Sequence, residues 1–110
     1  MKCFLYARKS TDEPDRQMLS IEAQVTELRE YARKERLTIV EEFTESMTAR
    51  KPGRPIFNTM MDRVVNREVD ALLAWHPDRL SRNPLDGGCL IHAMDSEVLS
   101  TLKFPTFWFE

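Results

Sequence analysis

Val69-Asp70-Ala71-Leu72-Leu73-Ala74-Trp75 is a nearly unbroken apolar run in the middle of the chain. A run of this kind suits a strand whose two side-chain rows both meet packed helices, as in a parallel sheet. Parallel strands need long crossovers, usually helical, and the flanking sequence supplies them. Residues 2–7 read as a first strand. Ser20 reads as the N-cap of a helix over 21–36, with Ile21, Val25, Leu28 and Ala32 at helical spacing. Residues 37–44 are β-branched and alternate towards their end, predicting a second strand. Arg54-Pro55 opens another helix with Pro in its first turn, its expected inner face being Ile56, Met60 or Met61, Val64 and Val65. Beyond Trp75 come a short helix over 85–94 and a fourth strand over 98–104. Gly87-Gly88 inside that helix either weakens it or permits close packing. Strands alternating with helices predict an α/β fold in three layers. Its central sheet would be mostly parallel, with four to five strands, flanked by helices and joined by right-handed crossovers.

The chain has 110 residues, enough for one domain with a real core; 42% are hydrophobic and 31% charged, which argues against disorder. Net charge is −2, yet it is unevenly spread. Residues 1–45 hold eight Lys/Arg against ten Asp/Glu, residues 46–82 seven against four, and residues 83–110 one against four. The middle third is therefore the basic part, +3 within an acidic whole. Cys3 and Cys89, with no signal-type leader, predict reduced thiols and a cytoplasmic location. No apolar run approaches the roughly 18 residues of a membrane span. Nucleotide-cradling glycine motifs are absent, and His76 and His92 lack partners at metal-ligand spacing.

Chemistry gathers where strands end. The first strand empties into Arg8-Lys9-Ser10-Thr11, and the third into His76-Pro77-Asp78-Arg79-Leu80-Ser81-Arg82. In an open α/β sheet, ligands bind outside these carboxyl ends. Arg8 and Ser10 share one face of an extended chain. Arg79 and Arg82 are three apart, on one side of any helical turn. Arg54 starts a helix on the same edge. Guanidinium groups match phosphate oxygens in a bidentate way, and serine is either an oxygen nucleophile or a plain donor. Nearby cations also ease ionisation of a hydroxyl. Each residue has an ordinary reading as well: a capping Ser10, an Asp78–Arg79 bridge shaping a loop, a solvated Arg82. Gln24, on the apolar face of the first helix, is either an edge residue satisfied by backbone or a group reaching into the site. The 45–53 segment is long for a strand–helix connection, and such loops are often functional.

Four motifs, Tyr6-Ala7-Arg8-Lys9-Ser10-Thr11, Ser20-Ile21-Glu22-Ala23-Gln24, Gly53-Arg54-Pro55 and Asp78-Arg79-Leu80-Ser81-Arg82, resemble in their order those of the serine recombinases. These are the resolvases, invertases and serine integrases. The resemblance implies a resolvase-like fold and a site-specific DNA recombinase. In it Ser10 attacks a DNA phosphodiester and forms a 5′-phosphoserine link, and Arg8, Arg79 and Arg82 bind and activate the phosphate. Arg54 would support them, Asp78 would handle a proton or orient the arginines, and Gln24, Arg50 and Lys51 would line the site or bind phosphate. No metal, ATP or other cofactor is expected, because the covalent link conserves the bond energy. The implied partners are double-stranded DNA and further copies of the chain, as a dimer and a synaptic tetramer of the full-length protein. The 110 residues by themselves are compatible with a monomer. The spacing from Ser10 to Gln24 and the 45–53 loop look more like the large serine recombinases than the compact resolvases. Ser46-Met47-Thr48-Ala49 departs from the Ser-Gly of many members. Members also continue into a long dimerisation helix and DNA-binding domains, so residues 1–110 are expected to be a catalytic domain truncated before them.

Two other readings compete. One is a non-catalytic anion-binding or protein-interaction module on the same fold, with Phe107, Trp108 and Phe109 as its docking surface. The other is a phosphoesterase that releases its product to water.

Overall fold

A computed structural model describes residues 1–9, 20–46 and 52–105, and of Asp78 the backbone alone. Ser10, Arg50, Lys51, the Asp78 side chain and the aromatic residues 107–109 lie outside the described residues. The described elements run β1 (Lys2–Arg8), α1 (Ile21–Lys34), β2 (Thr38–Glu45), α2 (Pro55–Val65), β3 (Ala71–Ala74), α3 (Pro77–Leu80), α4 (Pro84–Asp95) and β4 (Thr101–Lys103). The four strands form one sheet in the order β2-β1-β3-β4, every pair parallel. This is the expected three-layer α/β architecture.

The layers follow from alternation along β1. Phe4 and Tyr6 face one side and pack with Phe57, Met60, Met61 and Val64 of α2 and with Leu90 and Ala93 of α4. Cys3, Leu5 and Ala7 face the other side and pack with Val25, Leu28 and Ala32 of α1. All four residues of β3 are buried, as its apolar run requires. The edge strand β2 alternates instead, and its register against β1 skips Val40, a bulge that leaves that side chain exposed.

Three sequence expectations shift. The inner face of α2 carries Phe57 rather than Ile56 and Val65, the latter 63% exposed. The spacing of Phe57, Met60, Met61 and Val64 is one stripe at i, i+3, i+4 and i+7. The glycine pair in α4 makes no close approach among the described residues: a Cβ at Gly88 would meet nothing within 4 Å, and one at Gly87 only Ser81 Oγ at 3.6 Å. Finally, 77–80 forms one helical turn, and Arg82 lies beyond its end. Arg82 is exposed while Arg79 is buried, so the two do not share one side of a turn.

Candidate active site

The strand order sets where a ligand can enter. From β1 the chain crosses to β2 on one side, then passes back over β1 to β3 on the other. The helices of these two crossovers cover opposite faces, which opens a crevice at the carboxyl ends of β1 and β3. Arg8 is the last residue of β1, and α3 with Arg79 follows β3 directly.

Gln24 fixes the end of β1. Its Nε2 donates to the Arg8 carbonyl at 2.9 Å, and its Oε1 accepts from the Arg8 N–H at 3.3 Å. A primary amide thus imitates a strand partner for one peptide, which agrees with the backbone-satisfied reading of Gln24 and ties α1 to the position of Arg8. Ser20 caps that helix as expected, accepting from the Ala23 N–H at 3.1 Å.

The carbonyls at the end of α3 have no partners within their own turn. Two guanidinium groups take them. Arg8 Nε donates to the Arg79 carbonyl at 3.2 Å, and Arg54 Nη1 donates to the same oxygen at 3.3 Å. Arg54 Nη2 donates to the Leu80 carbonyl and to Asp86 Oδ2, the latter at 3.0 Å. Arg8, Arg79 and Arg54 are therefore brought together, with 0, 6 and 1% exposure. Arg54 lies over the Phe57 ring at 3.9 Å and gives a further bond to the Tyr6 hydroxyl at 3.1 Å. Its Nε has no hydrogen-bond partner among the described residues.

Four residues to which the sequence reading gave no role complete this arrangement. The Tyr6 hydroxyl donates to Glu45 Oε1 at 2.7 Å. Glu45, the last residue of β2, also accepts from the Ile56 and Phe57 N–H groups at 2.9 and 3.1 Å. A carboxylate there satisfies the free donors and the positive end of α2. Burial pushes the Tyr6 phenol well above its ordinary pKa; the Arg54 charge opposes this and Glu45 adds to it. Asn83 caps α4: its Oδ1 accepts from the Asp86 N–H, and its Nδ2 donates to Asp86 Oδ2, both at 2.9 Å. The sequence signal for this cap was Asn83-Pro84, a capping residue before a first-turn proline. Glu45 and Tyr6 carried no such local signal.

A groove of about 330 Å³ runs between α2 and α4, lined by Phe57, Met61, Val65, Cys89, His92 and Val98 among others. No lysine or arginine lines it, so it is unsuited to phosphate. Among the described residues no group of three or more His, Cys, Asp or Glu could hold a metal ion, and no helix is long and apolar enough to cross a membrane.

A family model described as the resolvase N-terminal domain matches residues 3–99. Among solved structures, the N-terminal catalytic domain of TP901-1 integrase is similar at 25% identity with a TM-score of 0.75, over 90% of this chain and 73% of that one. A resolvase family site-specific recombinase from Streptococcus pneumoniae is similar at 26% identity and a TM-score of 0.69, over 94 and 71%. The C-terminal catalytic domain of ISC1926 TnpA, an IS607-like serine recombinase, has the same fold at 19% identity and a TM-score of 0.78, over 98 and 72%. Among curated proteins the chain has no match.

Proposed function

Because the chain belongs to the resolvase family of serine recombinases, we propose that it breaks and rejoins DNA through a covalent serine intermediate. The Ser10 Oγ attacks phosphorus, the P–O3′ bond breaks, and the 3′ oxygen leaves with a proton. The phosphate stays on Ser10 as a 5′-phosphoserine. In the reverse step a 3′-hydroxyl from an exchanged strand attacks the same phosphorus and restores the serine. The phosphodiester energy stays in the serine ester, so neither ATP nor a metal enters this scheme.

One observation carries the reading: the Arg8 guanidinium reaches the Arg79 backbone where β1 and β3 end, which brings these two arginines to one edge, with Arg8 two residues before Ser10. Fixed cations there suit the growing charge on the non-bridging oxygens of a phosphoryl transition state. Arg82, exposed at the rim of the same edge, suits a DNA phosphate, and Asp78 suits proton handling or alignment of the arginines. Arg50 and Lys51 are proposed backbone contacts. Because Arg8 and Arg79 are buried, the phosphate reaches them only once DNA binding has uncovered the crevice. The proposed partners are double-stranded DNA and further copies of the protein, as a dimer and then a synaptic tetramer. The dimerisation helix and DNA-binding region belong, in this proposal, to the full-length recombinase around the catalytic domain.

The test is a covalent trap. Full-length protein is incubated with a duplex carrying the ends of the element that encodes it, then run on a denaturing gel. An adduct in wild type that vanishes in Ser10→Ala is expected. An adduct that persists in Ser10→Ala moves the nucleophile elsewhere. No adduct on DNA shown to be bound and synapsed favours the non-catalytic module, and a cleaved product without adduct favours a phosphoesterase.

A further inference from the structure

We propose that Asp86 is a positioning residue of the recombination site, acting through Arg54 on the peptide that carries Arg79. The inference rests on the reading of Arg8 and Arg79 as phosphate ligands. The Asp86 side chain is 4% exposed and bonds to Arg54 and Asn83, so in this proposal it acts through Arg54 and makes no DNA contact of its own.

The argument is the geometry of a planar fork. Arg54 Nη2 bonds to Asp86 Oδ2 and to the Leu80 carbonyl, while Nη1 bonds to the Arg79 carbonyl and the Tyr6 hydroxyl. A guanidinium is rigid, so holding one edge fixes the other. Asp86 is in turn held by Asn83, which bonds to both its backbone N–H and its Oδ2. The N-terminus of α4 thereby sets Arg54, Arg54 sets the carbonyls that close α3, and Arg8 hydrogen-bonds to one of those same carbonyls. Without an acceptor at Asp86, the Nη2 edge of the buried Arg54 guanidinium loses one of its two bonds and the fork swings out of place. That movement releases the Leu80 and Arg79 carbonyls and loosens both phosphate ligands together.

Both bonds to the Asp86 side chain arrive on one oxygen, Oδ2. An asparagine carbonyl can accept the same two bonds, so Asp86→Asn keeps the geometry while removing the charge, and Asp86→Ala removes both. The measurement is the single-turnover rate of adduct formation by the full-length protein on pre-bound element-end duplex, with DNA affinity recorded in parallel. Asp86→Ala is expected to slow the adduct step about tenfold or more, since small misplacements of ligating groups have large rate effects. Its DNA affinity stays within about twofold, because the residue makes no DNA contact. Asp86→Asn recovers most of the rate, and Arg54→Ala combined with Asp86→Ala is no slower than Arg54→Ala alone. Val69→Ala, in the core just before the start of β3, is the destabilised control and keeps the wild-type rate. Should Asp86→Ala fail to fold, Asn83→Ala takes its place and is expected to slow the adduct step by a smaller factor.

Wild-type rates in Asp86→Ala or, in its stead, Asn83→Ala would overturn the proposal. So would Asp86→Asn as slow as Asp86→Ala, or an equal loss in Val69→Ala. Absence of an adduct in the wild type overturns the serine-transesterification reading itself, and the role of Asp86 with it.

Discussion

Arg54 and Arg79 are both buried arginines beside one carbonyl, yet they have different jobs, and substitution separates them. Arg54 is ion-paired to Asp86 at 3.0 Å with both side chains inside. Removing one partner of such a pair leaves an uncompensated charge, which typically costs about 3–5 kcal/mol. Set against a typical domain stability of about 5–15 kcal/mol, Arg54→Ala should lower the urea midpoint steeply and leave a domain close to unfolding. The Arg79 carbonyl, which accepts from Arg8 and Arg54, survives truncation of the side chain, and what is lost includes the contact of its guanidinium with the Trp75 ring, 5.9 Å from the centroid. Arg79→Ala should therefore keep a folded domain but lower the rate of serine–DNA adduct formation by about 100-fold or more, the usual effect of losing a donor to transition-state charge. Urea titration and the adduct assay on the same two variants check both halves. A stable Arg54→Ala, or an Arg79→Ala that cleaves at the wild-type rate, would contradict this division of roles.

At the scale of elements, the three long helices among the described residues end in the same way without a glycine. Arg36, Arg67 and Glu97 each adopt positive φ, at 57, 62 and 61°. Each is followed by a residue whose N–H reaches back to close the turn: Leu37 to Ala32, Glu68 to Arg63 and Val98 to Ala93. These are Schellman closures, normally built on glycine because a Cβ is strained there. Glu97→Gly should relieve that strain and stabilise the fold by about 1 kcal/mol, read as a higher urea midpoint at unchanged slope. Gly88→Ala should gain a similar amount, about 0.5–1 kcal/mol, since it fills open space in a helix interior. The absent glycine stops also explain why sequence placed the end of α1 at Arg36 and not at Lys34. Element types were legible because Ser20, Pro55 and the apolar spacing are local signals. The face of α2 was misjudged because Phe57 is drawn inward by partners distant in sequence, Arg54 stacked on its ring and Glu45 on its N–H. The site divides along the same line. Arg8 and Arg79 could be found from strand ends, whereas Glu45 and Asp86 acquire their roles only when β2 and α4 pack beside α2.

For the molecule as a whole, the sheet joins the active edge to the core, so groups along β1 couple the site to global stability. Burial pushes the Cys3 thiol up from 9.0, against a weaker lowering by the N-terminal ammonium. It pushes the Tyr6 phenol up from 10.0 as well. A raised folded-state value means that the native state holds its proton more tightly than the unfolded chain does. Stability from both groups is then complete below the unfolded values and falls as pH climbs through and past them. The native fold should accordingly be insensitive to these two groups at pH 7 and lose stability progressively above about pH 9. Tyr6→Phe removes one of the two titrations and should flatten the decline above about pH 10, although at neutral pH it is less stable for want of the bonds to Glu45 and Arg54. Cys3→Ala should flatten the earlier part of the decline. Thermal midpoints taken from pH 7 to 11 for the three proteins test this. Parallel curves would mean that the alkaline limit is set elsewhere, whereas curves converging at high pH would place it in the central strand, beneath Arg8.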